Sequence, residues 1–378
     1  MSLAKFKPIL RNIRRPSPAY FTIGGWQTNL RYFLKMGHLP AHIMDRVKFK
    51  IFPKFYIIPK FPTHLDIETS SACQMKCSMC YTTHMSNDKK GIMGLGLYKR
   101  LIEQAKEQNV YSIKLSWRGE PLLNKNIIYM VKYAIAKGIK EVALLTNGEL
   151  LNEKMSMGLV DAGLNWISIS ADGVGDVYNK IRSPAIFEDT VKKVAFLKEY
   201  RDKKGFRKPL IRVQSLMSAV KDNPQKFYST WKELTDRMNM IADQARDFEK
   251  KDMQHDPEYF CPKPWQRMSI THEGKVYQCN SDYNGLGVMG DANTDKLIDI
   301  WHGDAFNRVR EAFKNHTYLK DNKPCLFCTE GVVTKEDEIN VGARVMKVRG
   351  YKLINNVSDE SGITFKDTIS DNSWNEDD

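Results

Sequence analysis

The sequence predicts an α/β fold, a partial (β/α)6 barrel followed by a small C-terminal domain. Two observations lead there. From His64 onward, short apolar runs alternate about six times with stretches of helical period, the signature of parallel strands joined by right-handed crossovers. Past residue 260 the alternation stops and Gly, Asn and Asp turns take over. Six units fall short of the eight that close a full barrel.

The elements follow in order. Pro53, Pro59 and Pro62 punctuate the end of a basic head spanning 1–63. HLDIETS from His64 reads as the first strand, LYKRLIEQAKEQ as a helix and YSIKLSW as the second strand. NIIYMVKYAIAKG, EVALLTNG, EKMSMGLVDAG and NWISISADG continue the series as helix, strand, helix and strand. A helix through Val191–Tyr200, the strand PLIRVQSLM, a helix near Pro224–Leu234 and the strand RMNMIAD complete a barrel over 64–243. Residues 244–260 are charged and read as a linker. The small domain spans 261–330, and 331–378 is an extension whose acidic end reads as disordered.

Charge is unevenly placed. Residues 1–60 hold twelve Lys or Arg and one acid, Asp45, whereas 358–378 hold seven acids and one Lys. The basic head fits a solvated face, an anionic membrane surface, or an anionic substrate or nucleic acid. Trp26, Leu30, Phe33 and Leu34 share a helical face beside Arg31 and Lys35, a basic amphipathic pattern. No apolar run approaches the roughly 20 residues of a membrane span. No signal-peptide core follows the N-terminus. The expected location is therefore the cytoplasm, where thiols stay reduced and free to take metal.

All seven cysteines fall into metal-binding spacings. Cys73, Cys77 and Cys80 form C-x3-C-x2-C directly after the first strand. Cys261, Cys279, Cys325 and Cys328 form a second set ending in C-x2-C. A cubane iron–sulfur cluster has four iron corners, usually with one thiolate on each. Three thiolates leave one iron open, and four close the cluster. For each set a zinc site is the alternative.

The run from Ser71 to Tyr81 (SACQMKCSMCY) resembles the radical S-adenosylmethionine (SAM) superfamily over about residues 64–330. The resemblance implies a TIM-like partial barrel and a three-Cys 4Fe–4S cluster whose open iron chelates SAM. Reductive cleavage of SAM there gives a 5′-deoxyadenosyl radical that takes a substrate hydrogen. Trp117-Arg118-Gly119-Glu120-Pro121 is similar to the family's GGEP loop, with Arg118 in place of the first Gly. By that likeness Glu120 accepts from the SAM ammonium, and Gly119 lies near the methionine part. Asn147 stands close to SAM, Ser170 contacts the ribose, and Arg182 pairs with the SAM carboxylate. Met79, where the family commonly has an aromatic residue, approaches the adenine. The second set, with Gly274 five residues before Cys279, resembles the extensions called SPASM and twitch. The absence of cysteines after Cys328 favours the twitch form, with one auxiliary 4Fe–4S cluster.

The cluster layout is similar to that of the twitch-type aminocyclitol dehydrogenases. All seven thiols being ligands in this reading, none remains to return a hydrogen to a substrate radical. This disfavours thiol-quenched epimerisation and favours oxidation or elimination on a small polar, sugar- or cyclitol-like substrate. Arg212 and Asp243 are the expected substrate-side catalytic residues. A maturase acting on a peptide is the competing substrate class, and a non-catalytic iron–sulfur electron-transfer protein is the reading from another class. A reductant such as flavodoxin or ferredoxin is an implied partner. Gly285-Leu-Gly-Val-Met-Gly290 spells a dinucleotide fingerprint, but it neither follows a convincing βαβ strand nor opens a helix.

Overall fold

The computed structural model describes residues 21–23, 30, 34, 35, 37, 39–241, 255, 256, 259–332, 334–341 and 344–351. One ten-stranded sheet runs through it. In chain order its strands are β1 (Phe21–Ile23), β2 (His64–Ile67), β3 (Ser112–Lys114), β4 (Glu141–Thr146), β5 (Trp166–Ser170), β6 (Leu210–Leu216), β7 (Arg237–Ile241), β8 (Arg267–Ile270), β9 (Lys275–Tyr277) and β10 (Val288–Asp291). Strands β2 to β7 lie side by side in chain order, each parallel to the next. This is the six-unit series that the alternation implies. The connecting helices include Leu95–Glu107, Ile127–Ala136, Glu153–Asp161, Phe187–Lys203 and Pro224–Trp231.

Alternate strand residues turn to opposite faces. Leu65, Ile113, Val142, Ile167 and Ile211 are fully buried in the core cluster shared with these helices. The other face lines a polar barrel interior. There Asp66 is buried, with Lys114 Nζ at 2.7 Å and an Arg267 guanidinium nitrogen at 3.0 Å. Burial pushes the Asp66 carboxyl up, but these cations outweigh it and hold the group well below the usual carboxylate range.

The edges of the series are covered. β1 pairs antiparallel with β7. β8 pairs parallel with β2 over His64↔Arg267 to Ile67↔Ile270, and β9 and β10 extend the sheet antiparallel. The strands from Arg267 to Asp291 therefore continue the barrel's own sheet. The β8–β9 turn requires Gly274, whose φ is +95° and whose missing Cβ would sit 2.3 Å from Asn293. A separate hairpin joins β11 (Thr334–Val341) to β12 (Arg344–Tyr351).

A helix at Leu39–Lys50 lies under the N-terminal ends of the barrel strands. His42 Nδ1 is 3.0 Å from the Tyr111 hydroxyl, and Gln266 Nε2 donates to the Phe49 carbonyl at 2.7 Å. Its i, i+4 row of Leu39, Ile43 and Val47 behind Pro40 is the sequence signal for it. Of the amphipathic stretch the sequence points to instead, Trp26, Arg31 and Phe33 lie outside the described residues. Among the described residues no helix is long and apolar enough to cross a membrane.

Candidate active site

A cavity of about 190 Å3 opens at the C-terminal ends of the barrel strands. One wall is the loop after β2, carrying Cys73, Cys77, Met79 and Cys80. The others come from the ends of β4, β5, β6 and β7, including Asn147, Ser170, Gln214 and Ile241, and from Tyr283 in the second lobe. All seven cysteines are free thiols. Each thiol of the first set has a polar neighbour. Asn147 Nδ2 donates to Cys73 Sγ at 3.6 Å, an Arg182 nitrogen donates to Cys77 Sγ at 3.9 Å, and Cys80 Sγ is 3.1 Å from Thr82 Oγ1. Burial pushes the Cys73 thiol up to about 11. A metal's positive charge is what would make it a thiolate at neutral pH. Three soft sulfur donors around an open cavity fit an iron–sulfur cluster with a free corner.

The residues expected around SAM are brought together here, in distinct states. Gly119 has φ +63°, and a Cβ there would sit 2.5 to 2.6 Å from the backbone of Ser70, Ser71 and Ala72. Only glycine lets this loop press against the cysteine loop, where Glu120 N–H donates to the Ala72 carbonyl at 2.8 Å. The Glu120 carboxylate is buried. It accepts from Thr146 Oγ1 at 2.6 Å, Asn147 N–H at 2.8 Å and Leu122 N–H at 3.0 Å. Burial raises it to about 7 in spite of those bonds. Its oxygens thus already organise the turn after β4. Arg182 clasps Asp172, with Nε donating at 2.6 Å, and Asp172 also accepts from Leu216 N–H at 2.7 Å. Ser170 and Met79 line the cavity.

The two substrate-side candidates differ. Asp243 lies outside the described residues, two positions past Ile241. Arg212, expected at the barrel mouth, is held deeper by its neighbours. Its Nε donates to Ser168 Oγ at 2.9 Å, and its guanidinium stacks 4.6 Å over the Trp166 ring. Its same-face neighbour Gln214, one strand period nearer the mouth, lines the cavity in its place.

The second set surrounds a smaller cavity of about 20 Å3, lined by Cys261, Cys279, Cys325 and Cys328. Asn322 Nδ2 and Gln278 Nε2 donate to Cys325 Sγ at 3.2 and 3.8 Å. The Lys263 ammonium is buried beside these thiols. It donates to Glu330 at 2.8 Å and to Ser281 Oγ at 2.5 Å. Burial lowers the Lys263 pKa, but Glu330 and the thiols outweigh it and hold the amine protonated. Four sulfur donors, a fixed cation and donors to sulfur suit a fully ligated cluster.

Sequence reasoning missed the link between the two cavities. Trp117 Nε1 donates to the Asn280 carbonyl at 2.8 Å, one residue past Cys279. Arg118 makes a two-pronged pair with Glu68 at 2.6 and 3.0 Å and reaches the Tyr283 carbonyl at 3.4 Å. The departure from the family's Gly at position 118 was the available signal. The Gly285–Gly290 segment serves this lobe as well, with Gly287 N–H donating to the Asp282 carboxylate at 2.7 Å ahead of β10.

Comparison with known proteins agrees with this arrangement. Residues 67–208 match the radical SAM superfamily, and residues 261–329 match the iron–sulfur cluster-binding SPASM domain, together more than half of the chain. The S-adenosyl-L-methionine-dependent 2-deoxy-scyllo-inosamine dehydrogenase of Niallia circulans is 25% identical over 280 residues, 72% of this chain and 95% of that protein. The tungsten-containing aldehyde ferredoxin oxidoreductase cofactor-modifying protein of Pyrococcus furiosus is 27% identical over 157 residues, 41% of this chain and 44% of that protein. The chain thus spans less than half of that second relative. Among solved structures, BtrN in complex with AdoMet and 2-DOIA superposes with a TM-score of 0.50 at 21% identity, over 71% of this chain and 93% of that one. Streptococcus suis SuiB bound to S-adenosylmethionine gives 0.50 at 16% identity, over 78% and 77%. At these identities the structural likeness speaks to the fold, a partial barrel with a cluster-binding domain. The chain belongs to the radical SAM superfamily with a SPASM-type domain, and is an enzyme that uses SAM, a 4Fe–4S cluster and an auxiliary iron–sulfur cluster.

Proposed function

We propose that the chain oxidises an alcohol carbon of a small polar substrate, sugar- or cyclitol-like, to a carbonyl. The observation that carries this is the double lining of the 190 Å3 cavity: the three-thiol loop forms one wall, and Tyr283, four residues past Cys279, reaches in from the other lobe. A substrate held there would sit between both clusters. SAM and the clusters, when bound, supply the 5′-deoxyadenosyl radical that takes the carbon-bound hydrogen and the acceptor for the electron left behind.

The chain's own residues have the remaining tasks. Cys73, Cys77 and Cys80 would hold the SAM-binding cluster, and Cys261, Cys279, Cys325 and Cys328 a 4Fe–4S auxiliary cluster. Ser170 and Gln214 present polar groups able to orient hydroxyls, and Asp243 is the proposed acceptor of the hydroxyl proton. Arg182 and Gly119 would border SAM, with Glu120 fixing Asn147 behind it. With seven thiols assigned as ligands, none is left to return a hydrogen. The dehydrogenase relative, matched over 95% of its length, supports the same reaction class. A flavodoxin or ferredoxin would deliver the first electron, in the cytoplasm.

The test is anaerobic reconstitution followed by reduction with SAM and a panel of aminocyclitols and sugars deuterated at the carbinol carbon. About eight irons per chain, deuterium in 5′-deoxyadenosine and a ketone product are expected. Deuterium transfer only from a deuterated peptide would move the enzyme to peptide modification. About four irons with one zinc would remove the auxiliary cluster. SAM cleavage surviving Cys73→Ala, Cys77→Ala and Cys80→Ala together would remove the rest.

A further inference from the structure

The helix Leu39–Lys50 is amphipathic in the reverse sense. Its barrel-facing side carries the polar residues, His42 at 7% exposure and Asp45 at 4%. Its outward side carries Leu39, Ile43, Met44 and Val47, and the row continues through Ile51 and Phe55, with exposures from 37 to 54%. Sixteen large apolar side chains are exposed among the described residues, and nine of them lie between Leu30 and Ile57. Single exposed apolar residues are ordinary, but a contiguous set marks an interaction surface.

The exposed charge that this segment itself presents beside the row is basic. Lys48, Lys50 and Lys60 are exposed beside it. The one acid in residues 1–60, Asp45, is buried against the Arg46 guanidinium and presents nothing to solvent. Lys48, Lys50 and Lys60 would repel a second copy of the same face. An anionic bilayer satisfies both features at once, taking the apolar row at the headgroup–acyl boundary and the lysines at the phosphates.

We propose that the outward face of Leu39–Lys50, with Ile51 and Phe55, docks the enzyme peripherally on an anionic phospholipid bilayer. The helix lies under the N-terminal ends of the strands, whereas the cavity opens at their C-terminal ends. The docked enzyme therefore turns its active site toward water.

Cosedimentation of the reconstituted full chain with phosphatidylcholine vesicles, with and without 30% phosphatidylserine, tests this. Binding is expected to the anionic vesicles only, weakening steeply with added salt. Lys48→Ala with Lys50→Ala should weaken it about thirtyfold. Ile43→Glu with Val47→Glu should abolish it, and 5′-deoxyadenosine formation should stay at the wild-type level, showing that this variant folds. No binding to anionic vesicles by the full chain would overturn the proposal. So would equal binding by the Glu variant, or binding that appears only once the acidic residues 358–378 are removed, since that would make the tail the occupant of this face.

Discussion

Arg118→Gly restores the residue usual in related loops and strips Glu68 of its main cation. The pair is dry, with Glu68 at 0% and Arg118 at 9% side-chain exposure. Removing one partner of a buried ion pair costs about 3–5 kcal/mol, because the other charge stays buried and unpaired. His272 softens the loss, since its backbone N–H and Nδ1 lie 3.3 and 3.4 Å from Glu68 Oε2, so the lower end, about 3 kcal/mol, is expected. With an unfolding entropy of about 2.1 cal/mol/K per residue, a chain of 378 residues should lose about 4 °C in Tm. The pH dependence has a definite sign. Burial pushes the Glu68 carboxyl up, but the bonds from His272 and the Arg118 charge outweigh it and leave it below its usual 4.5. Its contribution is therefore present above pH 4.5 and drains away as pH falls through the lowered value. Wild type and variant should differ most near neutrality and converge in acid. Thermal melts across pH, with Glu68→Gln added to the Arg118→Gly background, read both effects. The second change should recover part of the loss. A Tm shift under about 1 °C, the scale of a surface substitution, or no recovery in the double variant, would refute the reasoning.

Glu120→Gln should flatten the stability profile of the cluster-free protein between pH 4.5 and 7. The native carboxyl keeps its proton up to about 7 while the unfolded one loses it near 4.5, so wild-type stability falls by about 3 kcal/mol as pH rises through that window. A wild-type profile already flat there would contradict the assignment. Lys263→Gln removes a buried cation from beside four thiols, and a positive charge favours the reduced, more negative cluster. The auxiliary midpoint potential should fall in an EPR-monitored titration, and an unchanged potential would mean that the charge is screened. Gly119→Ala should lose SAM cleavage outright, because its Cβ would meet the cysteine loop's backbone at 2.5 Å. Normal 5′-deoxyadenosine release by that variant would show that the loop can move aside.

The parallel strands were legible because they are buried on both sides or nearly so, and runs such as Glu141–Thr146 and Trp166–Ser170 therefore read as short β-rich blocks. The thiol sets were legible from spacing alone. Contacts over long sequence separations left no local trace. Glu68 lies fifty residues from Arg118, and Lys263 lies sixty-seven from Glu330. The pairing of β8 with β2 is set by which sheet edge lies open. The helix Leu39–Lys50 does carry a local trace, the row of Leu39, Ile43 and Val47, but periodicity does not say which way a helix turns its apolar side, and here that side faces out. Arg212 stands below the residues that line the cavity, a placement alternation does not give, since it fixes a residue's face but not its height along the barrel.

The backbone ladder between β2 and β8 has a mechanical consequence. The three-thiol loop begins just beyond the end of β2, and the lobe holding the other four thiols is built outward from β8. Four residue pairs of parallel ladder act as a strut between them. Separating the two thiol sets would mean breaking hydrogen bonds inside a continuous sheet, which opens only at a cost approaching that of global unfolding. The spacing of the two thiol sets is then fixed by the sheet that carries them, and it stays the same whether the cavity between them is filled or empty.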